Sequence, residues 1–220
     1  MINPGTLQFL SRLRKNNNRD WFEKNRQQFE AAKENFSGFV DVLIVSLGKT
    51  NPALKGLQSK DCIFRIYRDV RFSKNKDPYK FNFGAYIAEG GRKSDKAGFY
   101  VQVQPGAGSF AAGGCWQPES VKLKAIRQEI QYHTAEFKKI TGAKSFTGYF
   151  KSLSGEQLKT VPRGFSKDEP ASELYKYTSY IVEHAFSDKD VTSASFVTRN
   201  AEAYKSMLPF LGFLNRAIST

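Results

Sequence analysis

The chain has 220 residues, and its 34 Lys and Arg outnumber its 21 Asp and Glu, which gives a formal charge of +13. It has only 2 Cys and 2 His, too few for a histidine-rich metal site, a zinc site of four thiolates or a disulfide framework. With 40% hydrophobic and 25% charged residues, the composition is typical of a globular protein. We therefore expect one globular domain over residues 1–220, with no metal and no cofactor.

The N-terminal quarter has helical periodicity. Apolar residues in 7–13 predict a short amphipathic helix that ends at the triple asparagine 16–18. Asn18 is placed to cap a second helix, because its side chain can accept a hydrogen bond from the first free backbone N–H groups. From 21 to 47 the apolar residues recur at steps of three, four and seven. This spacing predicts one long helix, or two in line, ending at Gly48.

The period then changes to two, which is typical of strands. In residues 63–72 the predicted core face consists of Phe64, Ile66, Val70 and Phe72, and the opposite face of Arg65, Tyr67, Asp69 and Arg71. The runs 81–88, 99–104 and 109–115 follow, separated by glycine and proline. Short connections of this kind join antiparallel neighbours. We therefore predict an antiparallel meander from about residue 62 to 115.

The remaining chain alternates between the two periods. Pro118 opens a middle helix, and capping-box spacings at Ser154 and Ser166 predict two short helices. Residues 175–184 alternate again and are rich in tyrosine, which predicts a further strand. A closing helix is predicted from 196 to 211, kinked or restarted at its proline. The fold class is α+β: an antiparallel sheet flanked by N-terminal, middle and C-terminal helices.

Charge and hydropathy bear on location. Residues 166–220 hold six cationic and seven anionic side chains, so the positive excess belongs to residues 1–165. The N-terminal stretch lacks the apolar core and cleavage site of a secretory signal. The longest uncharged stretch, 97–118, contains a proline and five glycines, which predicts a strand and turns rather than a membrane helix. We therefore expect a cytoplasmic protein, with no membrane partner and with free thiols at Cys62 and Cys115.

Segment 64–80, FRIYRDVRFSKNKDPYK, holds the densest set of candidate functional residues. The candidates for binding an anion are Arg65, Arg68, Asp69, Arg71, Lys74, Lys76, Tyr79 and Lys80. Arg65 and Arg71 share the polar face with Asp69, whose carboxylate can orient both guanidinium groups. Arg68 lies on the predicted core face. A guanidinium there needs an acidic partner, a tyrosine hydroxyl with carbonyls, or a ligand, unless a bulge turns it outward.

Two interpretations of this segment remain open. In the functional one, arginines on a rigid strand beside a lysine-tipped loop form a preorganised site for phosphate or carboxylate. In the structural one, the arginines form ion pairs within the protein and the lysines decorate an exposed hairpin tip. A second glycine-rich segment, PGAGS at 105–109, lacks the Lys-Ser/Thr ending of a phosphate-binding loop and predicts a tight turn.

Four stretches carry a resemblance to a known family. They are NNNRDWFEKNRQQFE at 16–30, segment 64–80, GFYVQVQPGAGSFAAGGCWQP at 98–118 and LPFLGFLNRAI at 208–218. Together they resemble the family called domain of unknown function 2461. The resemblance spans nearly the whole chain and implies a single α+β domain. Because that family has no assigned activity, the resemblance implies no catalytic residue.

The residues support two classes of function. The first is an anion-binding domain whose segment 64–80 engages nucleic acid or another polyanion, since basic residues interleaved with aromatic rings suit phosphate contact and stacking. The second is an enzyme or sensor for a small phosphorylated or carboxylated metabolite, held by a clamp of Arg65, Arg68 and Arg71 with Asp69 as orienter or acid and base. A basic domain that acts through a protein partner is a third interpretation.

Overall fold

A computed structural model describes residues 1–219. Within them the backbone forms ten α-helices and four strands. The helices are α1 (Pro4–Lys15), α2 (Arg19–Lys24), α3 (Arg26–Gly48), α4 (Ser59–Cys62), α5 (Ser120–Tyr132), α6 (Thr134–Gly142), α7 (Lys144–Thr147), α8 (Ser172–Tyr175), α9 (Asp188–Thr192) and α10 (Phe196–Ile218). The strands are β1 (Phe83–Ile87), β2 (Gly98–Val103), β3 (Ser109–Cys115) and β4 (Tyr180–Phe186).

The strands form one open antiparallel sheet in the order β1-β2-β3-β4. Successive side chains of a strand point to opposite faces, and burial follows that alternation through most of β2. One face carries fully buried Phe83, Phe99 and Val101. The other carries Tyr100 and Gln102, which are only partly buried. The sheet thus has a core face and a face that reaches solvent, and the predicted α+β class is confirmed.

The N-terminal predictions are confirmed. α1 ends at the triple asparagine, and the side chain of Asn18 caps α2 by accepting a hydrogen bond from the Trp21 backbone at 2.9 Å. The long periodic stretch forms two consecutive helices, because the helical conformation is interrupted at Asn25, which ends α2 and precedes α3. α3 ends at Gly48, as its spacing predicts.

The predicted strand over 63–72 is wrong. This part of the chain forms two isolated antiparallel bridges, Ile63 with Ala85 and Tyr67 with Tyr79. Between the bridges the chain advances from 63 to 67 on one side and from 79 to 85 on the other. The second side has two extra residues, so a regular ladder cannot be maintained. The sheet proper therefore begins at β1 rather than near residue 62.

The predicted core face of that segment fails for the same reason. Ile66 is buried, but Phe64 is 37% and Phe72 is 95% exposed. Alternation places residues on one face only while the strand continues, and beyond Tyr67 the chain leaves the ladder and forms a loop. Phe72 therefore lies at an exposed loop tip.

The C-terminal predictions are confirmed in part. The strand predicted at 175–184 begins later, as β4, because its first residue belongs to α8. The spacing at Ser154 starts no helix, since Gln157 forms a bridge with Tyr177. At Ser166 the predicted capping contact forms, but turns follow it instead of a helix. α10 continues through Pro209 without a break.

Contacts divide the chain into two compact units. The first comprises Met1–Ser94, Tyr100–Ala111 and Ala185–Glu202. Its core is rich in stacked rings: Phe36 lies 5.3 Å from Phe83, and Phe39 lies 4.8 Å from Phe196. All eight candidate residues of segment 64–80 belong to this unit. That residues 1–220 form a single domain stays a prediction.

The second unit comprises Asp95–Phe99, Ala112–His184 and the chain from Ala203. Its core includes Phe137, whose ring centroid is 5.1 Å from that of Phe213. Arg216 donates hydrogen bonds to the carboxylates of Glu129 and Glu136. The bonds to Glu136 lower the pKa of that carboxyl. None of the helices within residues 1–219 has the length and apolar character needed to cross a bilayer.

Candidate functional site

Segment 64–80 is anchored to the N-terminal helices at Tyr79. The ring of Tyr79 is buried and stacks on Phe22 of α2, with centroids 4.0 Å apart. Its backbone N–H donates to the Asn17 side chain at 3.1 Å, and its carbonyl accepts from the same side chain at 2.9 Å. Burial raises the pKa of the Tyr79 hydroxyl. Tyr79 is therefore an anchor of the segment and does not offer its ring to a ligand.

Arg68 closes the loop that follows. Its guanidinium is half-buried and donates to the carbonyl of Asp77 at 3.1 Å and to the hydroxyl of Ser73 at 3.3 Å. Its backbone N–H donates to the Pro78 carbonyl at 2.9 Å. The sequence allows a tyrosine hydroxyl with carbonyls as partners of Arg68. In the structure the guanidinium bonds to a carbonyl and to a hydroxyl, but the hydroxyl belongs to a serine. Arg68 holds the two ends of loop 69–77 together.

Asp69 and Arg71 form a two-pronged ion pair on the surface. The Arg71 Nε and Nη2 atoms lie 3.0 and 2.7 Å from the two carboxylate oxygens of Asp69. The hydrogen bonds from Arg71 lower the pKa of the Asp69 carboxyl. Asp69 makes no hydrogen bond to Arg65, so it orients one guanidinium and not two. Because both side chains are exposed, the pair contributes at most about 1 kcal/mol to stability.

Loop 69–77 presents an aromatic ring and two lysines. Phe72 is almost fully exposed, and the Arg71 guanidinium lies 5.7 Å from its ring centroid. The Lys76 ammonium donates to the Val70 carbonyl at 3.0 Å and so braces the loop. Lys74 is exposed and forms no hydrogen bond or ion pair within residues 1–219. Its charge is therefore available to a ligand.

Arg65 and Lys80 lie near each other at the start and end of the segment. Lys80 is half-buried, and its ammonium lies 5.6 Å from the ring centroid of Phe64. Partial burial and the nearby charge of Arg65 lower the pKa of Lys80. Neither cation pairs with a carboxylate within the part of the chain that the structure describes. The two positive charges therefore lie close enough to repel each other.

A half-open groove of about 690 Å³ adjoins Arg65. Apolar side chains, including Phe29 and Ile66, line it together with charged ones. The charged residues that line it are Arg26, Glu30, Lys33, Lys60, Arg65, Arg92 and Lys93. Glu30 is shared by two of these cations, at 3.5 and 3.4 Å. Lys60 and Lys93 have no carboxylate partner within residues 1–219, so the rim of the groove is strongly positive.

The structure thus sorts the predicted site residues into two groups. Arg65, Lys74 and Lys80 form no ion pair with a carboxylate within residues 1–219, although the charge of Arg65, after the hydrogen bonds from Arg71, contributes to the lowered pKa of Asp69. Arg68, Asp69, Arg71, Lys76 and Tyr79 are engaged in holding the segment together, as described above. The basic rim residues Lys60, Arg92 and Lys93 were missed by the sequence analysis. They lie outside the alternating segment, and only the packing of α4 and the chain after β1 brings them to the groove.

Other candidate chemistry is sparse. Within residues 1–219 no group of three or more His, Cys, Asp or Glu side chains is arranged to hold a metal ion. Both cysteines are free and buried, and burial raises the pKa of Cys62 to about 11. In the PGAGS turn, the N–H groups of Gly106 and Ala107 donate to the Asp188 carboxylate at 3.0 and 3.1 Å. That turn therefore binds an internal carboxylate, in agreement with its structural interpretation.

These features define an α+β protein with an open antiparallel sheet and a strongly basic surface beside its first strand. The chain belongs to the family of conserved hypothetical proteins DUF2461, whose family model matches residues 5–213. This membership confirms the resemblance carried by the four sequence stretches. No curated protein and no solved structure is significantly similar to the chain.

Proposed function

We propose that this protein binds single-stranded nucleic acid through a basic surface, defined as Arg65, Lys74 and Lys80 of segment 64–80 with Lys60 and Lys93 of the groove rim. The observation that carries the proposal is that these cations have no carboxylate partner within residues 1–219, and that one of them, Lys80, lies 5.6 Å from the partly exposed ring of Phe64. A nucleic-acid backbone carries many phosphates, and cations that bind them release the counterions condensed on it, which favours binding.

The rings favour a single strand over other polyanions. Phe64, Tyr67 and Phe72 are 37%, 43% and 95% exposed, although large apolar side chains are normally buried. The charge of Lys80 lies 5.6 Å from the ring of Phe64. Unpaired bases expose π faces that stack on such rings, whatever the base. Charge and stacking surface together suit single-stranded DNA or RNA.

The arrangement gives less support to a small-molecule clamp. Such a clamp needs Arg65, Arg68 and Arg71 to converge with free N–H groups. Arg68 instead donates within loop 69–77, and Arg71 is held by Asp69. These contacts therefore favour a polyanion over a small metabolite as the ligand.

The test is fluorescence anisotropy with a labelled oligothymidine of about 20 nucleotides, titrated with the full chain between about 50 and 200 mM salt. If Arg65, Lys74 and Lys80 each neutralise one phosphate, log K should fall with log salt with a slope of about −2. Arg65→Ala/Lys80→Ala should weaken binding at low salt by about tenfold or more and reduce the slope by about 1.4.

The matched control is Lys159→Ala/Lys167→Ala, which removes the same charge from exposed residues of the second unit. It should leave affinity and slope nearly unchanged. Equal losses in both double variants would mean that net charge alone attracts the oligonucleotide, and the proposal would then be wrong. Absence of binding at low salt, combined with thermal stabilisation by a small phosphorylated metabolite, would favour the clamp instead.

A further inference from the structure

The face of the sheet that reaches solvent carries a row of rings beside the basic surface. Phe64 lies next to β1, Tyr100 is in β2 and Phe110 is in β3. The ring centroids of Phe64 and Tyr100 are 6.3 Å apart, and those of Tyr100 and Phe110 are 5.6 Å apart. All three side chains are partly exposed. The row therefore crosses neighbouring strands at spacings typical of aromatic contacts.

Tyr100 is held in this row by the strand next to it. A Cβ atom at Gly84 of β1 would lie 2.5 Å from the Tyr100 hydroxyl oxygen and 3.0 Å from Cζ. The ring thus lies over Gly84, in space that any other residue would occupy. Its hydroxyl donates to the Gln102 side chain at 3.1 Å, and burial raises its pKa to about 12. The ring is positioned without being removed from the surface.

A chain of side-chain amides lies alongside the rings. Gln102 Nε2 donates to the Gly108 carbonyl at 3.0 Å, and Asn82 Nδ2 donates to Gln104 Oε1 at 3.2 Å. Gln104 Nε2 and Asn82 Oδ1 have no hydrogen-bond partner within residues 1–219. These amides therefore present one unused donor group and one unused acceptor. No carboxylate bonds to any of them in the part of the chain that the structure describes.

We propose that this outer face, made of Phe64, Tyr100 and Phe110 with Asn82 and Gln104, binds the bases of a single-stranded nucleic acid. The inference rests on the proposed function, because the basic surface supplies the phosphate contacts. Phe64 and Lys80 join the two regions, since the Lys80 ammonium lies 5.6 Å from the Phe64 ring. Bases stack on the rings, and the free amide groups of Asn82 and Gln104 bond to base edges.

Three features of the outer face select bases. Rings stack on the faces of any base, and each such contact contributes about 1–3 kcal/mol to binding. Neutral amides match the donors and acceptors on base edges. Sites for Ca²⁺ or Mg²⁺ normally include carboxylates, and none bonds to the amides of this face within residues 1–219. Three rings on neighbouring strand positions can stack with two or three consecutive bases.

The experiment compares two labelled oligonucleotides of equal length and charge: oligothymidine and the same backbone with abasic sites in place of bases. The full chain should bind the abasic strand at least about tenfold more weakly, since one stacked base corresponds to roughly that factor. Phe110→Leu removes one stacking ring but keeps apolar volume. It should weaken oligothymidine binding about tenfold and leave abasic binding unchanged.

The control variant is Tyr132→Leu, since Tyr132 is a 72% exposed ring of α5 outside this face. It should bind both strands like the wild type. Equal affinity of the wild type for both strands, with a steep salt dependence, would overturn base binding at this face while leaving phosphate binding by the basic surface intact. Binding of neither strand would overturn both. If Phe110→Leu fails to fold, Gln104→Ala replaces it, because it removes an amide of this face: it should weaken oligothymidine binding and leave abasic binding unchanged, and equal effects on both strands would overturn the proposal.

Discussion

Asn17 joins the N-terminal helices to segment 64–80, and we expect it to contribute measurably to stability. Its Nδ2 donates to the Tyr79 carbonyl at 2.9 Å, and its Oδ1 accepts from the Tyr79 N–H at 3.1 Å. Both partners are partly buried and lie 62 residues apart in sequence. Asn17→Ala removes both bonds and leaves the backbone of a buried tyrosine without these partners.

The size of the effect follows from those two bonds. Each intramolecular hydrogen bond contributes about 0.5–1.5 kcal/mol, and an unsatisfied buried group costs more. Asn17→Ala should therefore lower the free energy of unfolding by about 2 kcal/mol. Asn17→Asp keeps the acceptor but loses the donor and places a carboxylate against the Tyr79 carbonyl, so its loss at neutral pH should be at least as large.

The aspartate variant also has a definite pH dependence. The carbonyl raises the folded-state pKa of the new carboxyl, so its protonated form is the stabilised one. The loss in free energy of unfolding, relative to the wild type, should shrink below about pH 4. It should be largest once the pH exceeds the folded-state pKa of the new carboxyl. The assay is urea unfolding followed by tryptophan fluorescence at several pH values.

Asn16→Ala is the matched control. The Asn16 side chain makes one exposed hydrogen bond, to the Arg12 carbonyl at 2.9 Å, so we expect a loss below about 0.5 kcal/mol. An Asn17→Ala variant as stable as the wild type within about 0.5 kcal/mol would refute the reasoning, as would an equally large loss in the control.

Three further predictions concern other parts of the fold. Gly114→Ala should destabilise the protein to urea by about 4 kcal/mol, because Gly114 has φ +128° and its Cβ would lie 2.0 Å from a β4 carbonyl oxygen; a loss below about 1 kcal/mol would contradict this. Hydrogen bonds from Ser187 and the ion pair with Arg199 lower the pKa of Asp190 to about 2. The free energy of unfolding of the wild type should therefore exceed that of Asp190→Asn by about 1 kcal/mol above pH 4, and the difference should vanish as pH falls through about 2. A difference that does not depend on pH would contradict this prediction. Burial raises the pKa of Cys115 to about 12, so iodoacetamide should modify it only in urea, and rapid labelling of the folded chain would contradict the buried placement.

Sequence reasoning succeeded where a few neighbouring residues decide the outcome. The cap at Asn18 depends only on a side chain and the N–H groups two or three residues later. The alternation in β2 similarly reports which of its side chains face the core. These elements, and with them the α+β class, could be predicted from the sequence.

The same reasoning failed where pairing decided the outcome. Residues 63–72 alternate as well as β2 does, yet two extra residues on the partner side interrupt the ladder beyond Ile63. The sequence contains no local signal for that insertion, because the extra residues lie near 80–84 and not in the segment itself. Capping-box spacing at Ser154 failed similarly, since a bridge between Gln157 and Tyr177 replaced the helix.

The candidate site shows the same division. The sequence by itself determined that residues 64–80 concentrate positive charge and rings, since composition does not depend on tertiary contacts. Only the tertiary structure decided which of those groups are available. Tyr79 became an anchor because Phe22 and Asn17 reach it from 50 or more residues away. Arg65 forms no ion pair because folding brought no carboxylate of residues 1–219 within bonding distance of it, and such long-range pairing is a property of the packed chain and not of its local pattern.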